Sequence, residues 1–243
     1  MRFEAMTFEE IREAADRGAV ALIPLGCTEQ QGPHLPVGFD TWFAEDLLLE
    51  ADQLAEEAGV LSVVLPALPF GPTPEHSGFG AGFIDLPASV HEEVVRAIVG
   101  SLQRQGFRRM LIWRGCGGHD LGRLVDELVQ QAEPMIVVEL PEAPFHDIWV
   151  RLGDPAVPGG HADSFTTSIS LARWPDSVHR DRIPGPSRTP DWSVQPLDFT
   201  TWSDSGVIGD PRFATAELGD LVRNETIRWV ADRVVEPSAV TLD

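Results

Sequence analysis

Lysine and tyrosine are absent from this 243-residue chain, asparagine occurs once (Asn224), and cysteine only twice. All positive charge beyond histidine therefore rests on arginine, and the bias toward Arg, Ala, Gly and Pro is that of a GC-rich coding sequence. Two cysteines without metal-finger spacing exclude a disulfide scaffold and fit a reducing compartment. No apolar run reaches the ~18 residues that a membrane-spanning helix needs. The start, Met1-Arg2-Phe3-Glu4-Ala5-Met6, has one basic residue and no apolar stretch, so no signal peptide is expected and the cytoplasm is the expected location. Basic residues are outnumbered 18 to 38, for a net charge of −20. That imbalance argues against the basic face a nucleic-acid partner requires.

What remains is an ordinary soluble composition, 43% hydrophobic and 23% charged, long enough for one full core. A single domain over residues 1–243 is expected. Apolar runs at Ala19–Leu25, Leu61–Leu65, Met110–Trp113 and Met135–Leu140 predict central strands. Helical spacing predicts helices over Phe8–Asp16, Thr41–Ala58, a segment capped by Ser89 and running to Leu102, Leu121–Ala132, Phe165–Ala172 and Ala214–Val235. Strands alternating with helices in this way predict a layered α/β fold, a mainly parallel central sheet flanked by helices. The Pro- and Trp-rich stretch 182–202 is long for a compact domain, and it is expected to cover a site or to make subunit contacts.

The most informative segment follows the first strand: Gly26-Cys27-Thr28-Glu29-Gln30-Gln31-Gly32-Pro33-His34-Leu35-Pro36-Val37-Gly38-Phe39-Asp40. Its glycines and prolines forbid a helix, so it is a shaped loop at the carboxyl end of a parallel strand, where ligand and catalytic groups collect. Glu29 and Asp40 with an imidazole between them suit a metal or acid–base site.

This segment resembles the signature of the creatininase (creatinine amidohydrolase) family, roughly Gly-x-x-Glu-Gln-His-Gly-Pro-His-Leu-Pro-x-x-x-Asp. Four later blocks are similar to family segments in the same order: Pro69–His76; Gly106–Ile112 leading to Arg114-Gly115-Cys116-Gly117-Gly118-His119; His161–Ser168; and Gly206–Pro211 with Ala214–Gly219. The resemblance implies a creatininase-like fold and hydrolysis of an amide or lactam C–N bond in a small molecule, helped by two divalent ions bridged by an aspartate. It also implies a homo-oligomer, a hexamer by family habit, acting on a small molecule, while charge and the lack of a long apolar run argue against a nucleic-acid or membrane partner.

Carried over by position, the implied ligand set is altered. Glu29 and Asp40 remain, but the family's first histidine is Gln31, the histidine of Asn-Gly-His-Gly-Gly-Asn is Cys116, and the glutamate before Thr-Ser is Thr166. The resemblance then implies one Zn or Mn ion on Glu29, Asp40 and Cys116, or no metal at all. Glu29, Asp40, Cys116, His119 and His161 are the candidate catalytic residues, and Gln31, His34, Arg114 and Thr166 the candidate substrate contacts. Arg114 is a fixed cation that can hold a carboxylate. A reading without metal makes Cys116 a nucleophile for acyl transfer, activated by His119 or His161, with the Gly117 and Gly118 N–H groups as oxyanion donors. A third reading is a catalytically silent homologue that binds a ligand or a partner subunit. Cys27 reads as packing at the strand end. Trp174, Trp192 and Trp202 are candidates to line a flat pocket. The same C–N chemistry run in reverse is a cyclisation, and a place in bacterial specialised metabolism is a further reading.

Overall fold

Every residue of Val20–Leu25 is apolar because both faces of that strand are covered. The computed structural model describes residues 1–132, 136–141, 145–152, 160–188 and 190–236. Its four described strands are β1 (Val20–Leu25), β2 (Ser62–Val64), β3 (Arg109–Arg114) and β4 (Val137–Glu139). They pair wholly in parallel in the order β2-β1-β3-β4, with Leu22 set opposite both Val64 and Leu111.

Alternation along the strands sorts side chains between two cores. Val20, Leu22, Leu111 and Trp113 face α2 (Phe39–Glu57), α6 (Ser164–Arg173) and α7 (Ala216–Val235), with Ile148 of α5 (Phe145–Leu152) joining them. Ala21, Ile23, Met110 and Ile112 face α1 (Phe8–Asp16), α3 (Ala88–Arg104) and α4 (Gly122–Gln131). The result is the helix–sheet–helix sandwich that the alternating pattern predicts.

The departures are local. Helix α2 begins at Phe39 behind Gly38, so Asp40 stands in its first turn rather than in the loop. Helix α3 begins at Ala88 after Pro87, whose fixed φ presets the turn, and Ser89 lies inside the helix instead of capping it. Thr215 caps α7 by accepting from Leu218 N at 3.1 Å, so that helix starts two residues later than expected. Helix α5 was not anticipated. Met135, the expected start of the fourth strand, lies outside the described residues.

One carboxylate ties α2 to both neighbouring helices. Asp46 accepts from Arg173 Nε at 2.7 Å and from Arg223 Nε at 2.6 Å. Arg173 is half exposed, which weakens its share, whereas Arg223 is nearly buried. Asp46→Ala is therefore expected to cost about 2 kcal/mol. A lowered denaturant midpoint at constant slope would bear this out, and an unmoved midpoint would refute it.

Candidate active site

The loops at the carboxyl edge of the sheet bring the sequence blocks together, as a parallel α/β sheet does. A cleft of about 590 Å³ is lined by Glu29, Gln31, Asp40, Arg114, Cys116, His161 and Thr166. Trp192, Leu197 and Phe199, from the Pro- and Trp-rich stretch, form part of its wall. Trp174 packs instead on Phe39 and Trp42, and Trp202 is not among the lining residues.

Glu29 is the hub, and its two oxygens have different neighbours. Oε1 lies 3.3 Å from His161 Nδ1 and 3.4 Å from Gln31 Nε2. Oε2 lies 3.1 Å from Cys27 Sγ, 3.6 Å from Cys116 Sγ and 3.5 Å from His76 Nε2. Burial, and then the nearby Cys116 and Asp40, push the Glu29 carboxyl well above the usual carboxylate range. Burial likewise lifts Asp40 to about 7.

The histidine tautomers follow from hydrogen-bond bookkeeping. His161 Nε2 sits 2.5 Å from the Gln30 carbonyl oxygen, which can only accept. Nε2 therefore carries the proton, and in the neutral ring Nδ1 presents its lone pair to Glu29 Oε1. Burial lowers His161 to about 4, so the neutral ring prevails. Two lone-pair atoms at 3.3 Å would repel, and a proton between them turns that contact into a hydrogen bond.

His76 is held in the opposite sense. The Gln30 side-chain oxygen accepts from Gly32 N at 2.9 Å, while its nitrogen donates to Gly206 O at 3.0 Å. That fixes the amide's orientation, so the same nitrogen donates to His76 Nδ1 at 3.0 Å. His76 Nε2 is consequently an N–H donor aimed at Glu29 and Glu75, at 3.5 and 3.7 Å. The loop motif contains Gln30 without revealing that its backbone and side chain each set one imidazole.

The two-ion arrangement can be tested on these contacts. Gln31 Nε2 donates to Asp40 Oδ2 at 2.7 Å, and the Cys27 thiol lies 3.3 Å from the same oxygen. The Gln31 amide and the Cys27 thiol thus both crowd one of the two Asp40 oxygens, Oδ2, that a bridging ion would use. Thr166 offers a neutral hydroxyl in place of a carboxylate. A pair of ions on hard ligands bridged by Asp40 does not fit this residue set. Cys27, read from sequence as packing, is instead a third group on the two carboxylates.

Cys116 borders the cleft, and Gly118 N–H points at its sulfur at 3.4 Å rather than toward a substrate oxygen. His119 is fully buried outside the cleft lining, its ring 4.7 Å from that of His91. Arg114 lines the cleft and donates to the His119 carbonyl at 2.8 Å. Asp163 caps α6 by accepting from the Phe165 and Thr166 N–H groups. His34 is not brought to the cleft. It is buried, its Nε2 is 2.8 Å from Thr167 Oγ1, and its carbonyl accepts from His179 N.

Burial depresses His34 to about 4, so the folded chain takes up its proton later than the unfolded chain does. Stability from this group is whole above pH ~6.5 and is lost as pH falls toward 4. His34→Gln keeps a donor for Thr167 but cannot titrate. Its stability loss between pH 7 and 5 is expected to be smaller than that of the parent by about 2 kcal/mol. Equal losses in denaturant melts at the two pH values would contradict this.

The family model for creatininase, described as creatinine amidohydrolase, matches residues 4–235. The chain belongs to the creatininase family. It is 31% identical over 238 residues to the mycofactocin precursor peptide peptidase of Mycobacterium tuberculosis, covering 90% of this chain and 87% of that protein. It is 26% identical over 257 residues to creatinine amidohydrolase of Pseudomonas putida, covering 95% of each. A solved creatininase overlays with a TM-score of 0.80 at 23% identity, covering 98% of both chains. At that identity the overlay speaks for the creatininase fold alone. Other solved creatininases are described as a Zn-Zn type and a Mn form.

Proposed function

We propose that this creatininase-family chain hydrolyses an amide-type C–N bond of a small substrate by acid–base catalysis between Glu29 and His161. The observation that carries the reading is the His161 tautomer: Nε2–H is held by the Gln30 carbonyl, and Nδ1 faces the Glu29 carboxyl at 3.3 Å beside an open cleft. A base whose lone pair is aimed, next to a carboxyl carrying the complementary proton, is the equipment that amide hydrolysis needs. The names of the relatives, an amidohydrolase and a peptidase, favour the same bond class.

In this mechanism Glu29 turns its proton from His161 Nδ1 to the substrate nitrogen, and the lone pair so freed takes a proton from water as it attacks the carbonyl carbon. Glu29 gives its proton to the departing nitrogen as the C–N bond breaks. Return of the proton from Nδ1 to Oε1 restores the pair, so no net proton is gained or lost by the protein. Arg114 supplies the fixed cation for the developing oxyanion. Cys116 is not assigned as nucleophile, because its sulfur is paired with Glu29 Oε2 at 3.6 Å and with the Gly118 N–H at 3.4 Å rather than with an imidazole that could activate it. Of the Zn and Mn ions reported for solved relatives, the residues here favour one at most. The substrate enters as a small molecule from solution, and the chain is expected to work as a homo-oligomer in the cytoplasm.

The test is incubation of the purified chain with a panel of cyclic amides, linear amides and short peptides, read by mass spectrometry for the gain of one water. Hydrolysis of at least one class is expected. No water gain across the panel would favour the silent-homologue reading instead.

A further inference from the structure

Two sulfurs and an imidazole converge on the far side of Glu29 from His161. Cys27 Sγ, Cys116 Sγ and a ring nitrogen of His119 all lie within 4.8 Å of one another. Glu29 Oε2 stands 3.1 Å from the first sulfur and 3.6 Å from the second. Cys27 and His119 are fully buried, whereas Cys116 keeps partial access to the cleft.

The His119 ring is the second, independent observation. A neutral imidazole carries one N–H and one lone pair, and burying both without partners is costly. Among the described residues, neither His119 nitrogen has a partner. The ring is lodged against Gly71, where a Cβ would stand 2.2 Å from Nε2, so any side chain at that position would displace it. Such a ring, with a nitrogen within 4.8 Å of two thiols, lacks only the group that would use its lone pair.

The donor types select what that group is. Paired thiolates with an imidazole suit a tetrahedral, thiophilic divalent ion and are poor ligands for Mn²⁺ or Mg²⁺. Zn–S and Zn–N bonds of about 2.3 and 2.0 Å place tetrahedral donors roughly 3.5 Å apart. The three donor atoms, within 4.8 Å of one another, can close to that spacing around one ion. Two thiolates also neutralise the charge of the ion, so it can sit where a bare dication could not. Two of the three donors, Cys116 and His119, stand where the chain departs from the family signature.

We propose that Cys27, Cys116 and His119 form a mononuclear zinc site, its fourth position open toward the cleft that Cys116 borders. This site is distinct in ligands from a carboxylate-bridged ion pair, since Asp40 and Thr166 take no part in it. The inference does not rest on the hydrolase reading, because metal content is measured without a substrate.

The experiment is elemental mass spectrometry of the full chain purified without chelator, with cobalt(II) titration of the metal-stripped protein alongside. Zinc at about one per chain is expected. Cobalt should give an intense tetrahedral spectrum with a thiolate-to-metal charge-transfer band. Cys27→Ser, Cys116→Ser and His119→Gln should each lose zinc, and Asp40→Asn should keep it. The cobalt spectrum of the unmutated chain carries the test where a buried variant fails to fold. Zinc retained in both serine variants, zinc lost in Asp40→Asn, a preference for manganese, absence of metal, or a Cys27–Cys116 disulfide in the purified protein would each overturn the proposal.

Discussion

Glu29→Gln is expected to lower kcat/KM for C–N hydrolysis by about 10²–10⁴-fold, the range that one positioned general acid supplies. The substitution is nearly isosteric and leaves the neighbouring donors in place, but an amide has no proton of carboxyl acidity for the leaving nitrogen. Burial already disfavours the charged form of Glu29, so a neutral side chain here should hold the fold and leave the melting temperature close to that of the parent. The loss should fall on kcat rather than KM, because the proton is needed only as the bond breaks. A variant that hydrolyses the amide at parental rate would remove Glu29 from the chemistry.

Gly219→Ala carries the largest expected stability effect. Gly219 lies in the first turns of α7, where a Cβ would stand 1.9 Å from the carbonyl oxygen of Ser168 in α6 and 2.3 Å from its carbonyl carbon. These are backbone atoms in a helix interior, so no side chain can swing away and the two helices must separate. Overpacking of that kind costs about 3 kcal/mol or more. The damage should also reach the cleft, because α6 begins three residues after His161 and carries Thr166 in its first turn. A thermal melt checks it, and an unchanged midpoint would mean that the α6–α7 contact is looser than described.

Architecture was the part of this molecule most legible in its sequence. Buried parallel strands must be apolar on both faces, which is why Val20–Leu25 and Met110–Trp113 stand out as uninterrupted runs. Helix starts were less legible. Gly38 and Pro87 begin α2 and α3 without any side-chain cap, so the usual polar signal is missing at both. Helix α5 lies in a stretch dominated by proline and glycine, where local composition argues against a helix while Ile148 is drawn into the core.

At the site, residue types were readable and partnerships were not. The pairing of Glu29 with His161 spans the chain from the first loop to the start of α6, and nothing local records it. Cys27 looked like a packing residue because a small thiol after a strand usually is one, yet its sulfur meets Glu29 and Asp40. His34, prominent in the loop motif, turned out to bond to Thr167 away from the cleft. Gln30 was the least visible, since its effect is to fix the protons of two histidines that lie far from it in sequence.

The most direct test of the Glu29–His161 pair is a double-mutant cycle on the substrate identified by the amide panel. Its readout is kcat/KM for the parent, Glu29→Gln, His161→Asn and the double variant. Groups that pass one proton between them act as a unit, so the double variant should be little slower than the worse single variant. Losses that multiply would show two independent contributions and contradict the shared-proton account.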